Sequence, residues 1–336
     1  MKKGTIEIQF NWIFVMIVGG LILLLSIGAA SAISKGSKEG LEYDILVYLD
    51  QIIAGLETSA KTEHSIIIPD STLLVDCATL SIKESQYEGQ SLMHTILFSP
   101  GEMKQEIASY ALQWEVPFKA ANVLYLTSTR IRYFIVDDAG TLSEGLQDIL
   151  PTNIMTSYVD IGDAIQNLNH DRIRIVMFEG DPNSLSLDLG RMKDRDVSAV
   201  VISHDPASFP EGFGTAGFFT YRGGTFQSVD TVPYVGRALL LGAVYSDDAV
   251  DYQCNIEKAR LKLGYTSAIL HSKADRLYAE EKLRQCDDTT GVDYANCRDR
   301  LLELKGADLD AMHMALQQEI DHCNNELKRR SCPVIY

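Results

Sequence analysis

Bases are scarce in this sequence: 30 lysines and arginines stand against 46 aspartates and glutamates, a formal net charge of −16. The deficit deepens past residue 38. Four of the 30 bases and one of the 46 acids fall in residues 1–38, so the remainder carries −19. A body of that charge repels phosphate backbones and anionic lipid heads, which argues against nucleic acid as a partner. Cys-x-x-Cys spacing is missing from the six cysteines, so zinc-knuckle and thioredoxin-type readings lack their signature. Also missing are G-x-S-x-G, S-x-x-K, H-E-x-x-H and a P-loop, the local signatures of the commonest hydrolases, zinc peptidases and nucleotide-binding folds. The seven histidines are scattered without metal-ligand spacing. No catalytic residue, metal or cofactor is assigned from the sequence.

What is present begins with a long apolar run. Residues 8–34 contain no charge, and residues 12–32 are almost wholly apolar. At about 1.5 Å per residue those residues make a helix about 31 Å long, the thickness of a bilayer core. A buried helix of a soluble protein would carry a polar stripe, and this segment has none. Residues 12–32 are therefore expected to cross a lipid bilayer once. Ala30-Ser31-Ala32 has the small residues of a signal-peptidase site. The run is longer than a signal core of about 7–15 residues, however, and Glu7, Gln9 and Asn11 precede it. These features favour a retained anchor over a cleaved signal. An even number of cysteines places the body outside the cytoplasm, where disulfides persist.

The opening "KKGTIE" followed by an apolar helix resembles the leaders of type IV pilin-like proteins. The resemblance implies a cut after Gly4, a mature chain beginning at Thr5, and Glu7 as the acidic residue of the mature helix. The spacing departs from the bacterial pattern, which has its acid at the fifth mature position, whereas Glu7 would be the third. The fuller stretch "KKGTIEIQFNWIFVMIVGG" is similar to the N-termini of membrane-anchored surface proteins of small-genome archaea. That resemblance covers about 30 residues and implies a location, not an activity.

Past the membrane, Leu41, Ile45, Tyr48, Leu49, Ile52 and Leu56 recur at helical spacing and predict one apolar helix face. Apolar and β-branched runs predict strands at 65–69, 73–82 and 94–99. Residues 101–114 read as a short helix closed before Pro117, and 123–136 as a strand pair or one long strand. Helices near 156–168 and 184–193 are expected to alternate with strands at 172–179 and 197–204. Residues 217–229 read as a hairpin turning at Gly223-Gly224. Alternation of this kind predicts a Rossmann-like or receiver-like layered α/β body with a parallel sheet.

Helix formers dominate from about residue 248, with "CDDTTGVDYANC" as a bend, which predicts a long C-terminal helical hairpin. Three segments result: the tail and membrane helix (1–38), a membrane-proximal helix with the α/β domain (39–247), and the hairpin (248–336). Cys286 and Cys297 flank the bend and would face each other across an antiparallel pair. Counting outward from the bend leaves Cys254 near Cys332 or Cys323. Cys77 would then tie the body to the hairpin or remain free.

"GFGTAG" (212–217) matches G-x-G-x-x-G, but a dinucleotide site needs that motif to open a helix, and strand-like residues follow it here. Ligands of α/β sheets bind at the carboxyl ends of strands. Glu179, Asp181, His204 and Asp205 lie at two such ends and form the candidate ligand site. The sequence thus points to a membrane-anchored binding or assembly protein with a surface or membrane protein partner. An extracytoplasmic enzyme or small-ligand sensor using those strand ends is the alternative, and a pilin-like filament subunit is the second alternative.

Overall fold

The computed structural model describes residues 40–59, 63–85, 87–136, 141–152, 154–166, 170–204, 212–280, 294–307 and 314–336. The expected membrane span and the processing residues Gly4, Thr5 and Glu7 lie outside them. Among the described residues no helix is long and apolar enough to cross a membrane.

The first helix, α1 (40–58), buries Ile45, Leu46, Leu49, Ile53 and Leu56. Leu41 and Tyr48, expected on the same face, stay 42% and 53% exposed. Two six-stranded sheets follow. The first contains β1 (Glu63–Val75), β2 (Thr79–Ile82), β3 (Gln90–Ser91), β4 (Leu97–Phe98), β5 (Glu102–Glu115) and β6 (Lys119–Ser128), in the order β3-β2-β1-β5-β6-β4. Every pairing in it is antiparallel except β4 with β6. The second contains β7 (Ile131–Val136), β8 (Met155–Val159), β10 (Arg172–Phe178), β12 (Val197–His204), β13 (Phe213–Arg222) and β14 (Thr225–Val235). Its order is β14-β13-β12-β10-β7-β8, parallel from β8 to β12 and antiparallel beyond. A small parallel pair, β9 (Ala164–Gln166) and β11 (Ser186–Asp188), lies apart.

This is not a Rossmann-like or receiver-like body. Such folds join parallel strands through helices that cover both sheet faces. Here, among the described residues, only the β7–β8 connection contains an α-helix, the short α2 (Thr141–Gln147). The link from β10 to β12 runs through a 3-10 turn at Pro182–Ser184, then β11, then a second 3-10 turn at Asp194–Asp196. The helices expected near 156–168 and 184–193 are therefore strands and turns. The helix expected at 101–114 is strand β5, paired on both sides by β1 and β6. The hairpin at Gly223-Gly224 is present, with β13 and β14 on either side and both glycines at positive φ, the conformation a tight turn demands.

The two sheets are joined by α3 (Gly236–Tyr245), "GRALLLGAVY", whose residues are all buried except the half-buried Arg237. A helix apolar all round must be enclosed on all sides. It touches β4, β5 and β6 on one side and β13 and β14 on the other. The order of layers is sheet, helix, sheet. The opposite face of the second sheet has its own core, with Phe134, Ile173, Ile175, Met177 and Ala199 packed on Ile165 and Leu185.

The tail is not a simple two-helix hairpin. α4 (Ala249–Ala279) packs on β4, β6 and β14 and on α5 (Tyr294–Gly306), which in turn contacts α6 (Met314–Arg329). Cys77 is bonded to Cys254, and Cys297 to Cys323. These pairs replace the expected Cys286–Cys297 and Cys254–Cys332 or Cys254–Cys323. The reason is packing: α4 lies along the first sheet, which brings Cys254 to the β1–β2 turn instead of to the end of the chain. Cys332 is also disulfide-bonded, and Cys286 lies outside the described residues. One turn along α4, Lys258 donates to the carbonyls of Cys77, Leu92 (2.8 Å) and Thr95 (3.1 Å). Asn255 accepts from the Leu97 amide at 3.1 Å. Polar loops of the first sheet are thus fastened to α4 beside the disulfide.

Candidate functional site

Strand β10 opens with Arg172-Ile173-Arg174, and alternation along a strand puts both arginines on one face. That face looks toward α3. Arg174 is 2% exposed. Its Nη2 donates to Ala243 O (2.8 Å) and its Nε to Val244 O (3.3 Å), two carbonyls of the last turn of α3. The last carbonyls of a helix lack partners within it and carry partial negative charge, so a cation there is stabilising. The Phe218 ring lies 5.4 Å from the guanidinium carbon, a cation–π contact. Burial pulls Arg174 down to about 10 from the ordinary arginine value, opposed by the nearby Asp247 carboxylate. At neutral pH the side chain is a buried cation.

Arg172, at the strand mouth, forms an ion pair with Asp247. The other oxygen of Asp247 accepts from the Gly101 amide at 3.1 Å. One carboxylate in the α3–α4 link therefore holds the loop before β5 of the first sheet and β10 of the second. Around this junction runs a charged cleft at the amino ends of β7, β10 and β12. One lobe, about 210 Å³, is lined by Lys104, Arg130, Arg172, Lys193 and Arg195, with Glu102, Asp171 and Asp196 as its acids. Five cations against three anions is an inversion for a chain of net charge −16. The second lobe, about 460 Å³, carries Arg172, Arg195 and Arg222 opposite Asp194, Asp247, Asp248 and Asp251. Asp194 accepts from the Gly223 amide at 2.7 Å, which fastens the turn bearing Arg195 to the β13–β14 hairpin.

The acidic wall of the second lobe has a measurable consequence. Asp251 accepts from the Cys77 amide at 3.1 Å. Burial, more than the neighbouring Asp248, Asp76 and Asp247, holds its carboxyl above the usual aspartate range. The native state therefore keeps this proton more tightly than the unfolded chain does, and stability falls as pH rises through the native value. Asp251→Asn retains an acceptor for the Cys77 amide and removes the charge. It is expected to raise the melting temperature at pH 7, with the gain vanishing below about pH 4, where aspartate is protonated in both states. Melting curves of both proteins across pH check this.

The residues proposed from sequence lie at the other end of the strands and do not converge. Glu179 is exposed, at φ +67°, with its amide donating to Ile202 O. The Asp181 carboxylate is engaged by the backbone and side-chain amides of Asn183, capping a 3-10 turn. His204 is buried, its Nδ1 2.8 Å from the Tyr234 hydroxyl. Asp205 lies outside the described residues. The glycine motif is also explained locally. A Cβ on Gly214 would lie 2.3 Å from the Tyr234 hydroxyl and 2.7 Å from Ser203 O, so close packing of β13 on its neighbours requires the missing side chain. The strand Phe213–Arg222 runs straight through the motif, and no helix opens there to receive a pyrophosphate.

Sequence reasoning missed the cleft because its residues are dispersed from 101 to 251. The local signal was Arg-Ile-Arg at the start of an apolar strand in an acidic chain, at 130–132 and again at 172–174, where alternation puts both cations of each triplet on one face. Compared with protein-family models, curated proteins and solved structures, the chain matches none.

Proposed function

We propose that this chain is a membrane-anchored binding or assembly protein whose folded body works outside the cytoplasm, with a surface or membrane protein as its partner. The observation that carries the reading is covalent. Cys77 of the first sheet is joined to Cys254 of α4, and Cys297 of α5 to Cys323 of α6. Bonds of this kind persist where the surroundings are oxidising and are reduced in most cytosols. The apolar residues 12–32 supply the lipid anchor, and the N-terminal resemblance to surface proteins suits the same place. The reading contains no catalytic step, since Glu179, Asp181 and His204 occupy separate environments.

The test is thiol trapping in intact cells with a fast, membrane-permeant alkylating agent, followed by peptide mass analysis. Cys77, Cys254, Cys297 and Cys323 are expected to escape alkylation until a reductant is added. Full alkylation of all four before reduction would sink the reading. The intact mass of the same material separates a retained anchor from a chain beginning at Thr5 or Ile33.

A further inference from the structure

Between the two lobes of the cleft lies a small cavity of about 10 Å³, bordered among others by Arg172, Arg174, Arg195 and Tyr245 and by the carboxylates Asp196 and Asp247, the latter already paired with Arg172. That is room for about one water-sized group. Two polar atoms of its lining residues have no hydrogen-bond partner, Arg174 Nη1 and Tyr245 Oη, and both are buried. Tyr245 is 1% exposed. A buried donor without an acceptor is destabilising, and more so when it is charged. No carboxylate forms an ion pair with Arg174 among the described residues; it meets two carbonyls and a ring. Two buried polar atoms at the floor of the cleft thus lack a partner, and the first lobe beside them carries five cations against three acids.

The geometry points to an oxyanion site: the cleft takes a small molecule bearing a phosphate, sulfate or carboxylate group, with one oxygen lodged against Arg174 and Tyr245 and the rest held by Lys193 and Arg195. This goes beyond the reading of location given above and does not depend on it. Lys193 and Arg195 belong to an exposed turn, and the Arg195 side chain is 72% exposed. Its ion pair with Asp196 is long, at 3.7 Å, and solvent-exposed, so little holds it from a ligand. Arg130 and Arg172 are already engaged by Asp171 and Asp247 and shape the walls. Planar guanidinium groups suit oxyanions because they offer paired donors at the spacing of two oxygens.

Titration calorimetry on the full chain in neutral detergent tests the site, with inorganic phosphate and citrate as separate probes at constant ionic strength. At least one probe is expected to bind beyond a sodium chloride control, phosphate identifying a tetrahedral group and citrate a carboxylate. The Lys193→Gln/Arg195→Gln variant changes only exposed residues and should weaken that binding at least tenfold. Lys328→Gln/Arg329→Gln, on α6, removes the same charge elsewhere and should leave it unchanged. The proposal is overturned if neither probe exceeds the chloride control. It is equally overturned if the cleft variant binds as the parent does, or if the α6 variant loses as much as the cleft variant.

Discussion

Replacing Cys77 and Cys254 together by serine is expected to lower stability by about 4 kcal/mol, more than the same change at Cys297 and Cys323. The two cysteines are separated by 177 residues. In the chain-entropy account, opening a loop of that size releases about 5 kcal/mol of unfolded-state freedom, against about 3.5 kcal/mol for the 26-residue separation of Cys297 and Cys323. The expected loss is set below the larger figure because real unfolded chains retain some compactness, which reduces the entropy released. Urea unfolding of both double variants, read under non-reducing conditions, tests the order. The prediction fails if opening Cys297–Cys323 costs the same or more.

Gly242→Ala is expected to destabilise the protein by about 2 kcal/mol, although alanine is the better helix former by about 1 kcal/mol. A Cβ at this position would meet two Phe98 ring carbons at 2.6 Å and a third at 2.8 Å. The ring cannot retreat freely. It lies 5.3 Å from the ring of Tyr252 and 6.2 Å from that of Tyr125, and all three side chains are fully buried. Overpacking of a closed core costs about 1–3 kcal/mol or more. Phe98→Leu in the Gly242→Ala background should recover part of the loss. The double-mutant cycle would then give a coupling of at least about 1 kcal/mol. Strictly additive losses would show that the clash is not the cause.

Strands with continuous apolar runs were legible in the sequence. Residues 172–179 and 197–204 were read as strands, and the structure has β10 and β12 there, because Val and Ile in unbroken series fit a sheet buried on both faces. Gly223-Gly224 marked its hairpin for the conformational reason given above. β5 was misread because Met103, Lys104, Gln105, Glu106 and Ala108 are good helix formers. Its strand state is imposed from outside by β1 and β6, which pair it along both edges. Tertiary pairing overrode local preference, as it does when both neighbours are fixed. The layered α/β reading failed at the connections, since a sequence such as "SLSLDLGRMK" supports a short strand and turns as readily as a crossover helix. Of the candidate site, the Arg-Ile-Arg triplets at 130–132 and 172–174 are the local part. The orphaned donors of Arg174 and Tyr245 come from the meeting of β10 with the far end of α3, 70 residues on, and no spacing rule anticipates it.

Trp114 closes the turn of the first sheet with its indole Nε1 donating to the carbonyl of Val235 at 3.0 Å, the residue that leads into α3. The other tryptophan of the chain is Trp12, in the apolar N-terminal run. Among the described residues Trp114 is the one tryptophan, buried where the first sheet meets the last strand of the second. In a Trp12→Phe background its emission is a direct optical gauge of whether the two halves are still closed on each other. A red shift on adding denaturant, earlier than the loss of helical signal from α4, would mean that the body opens like a book along α3 before the tail unwinds.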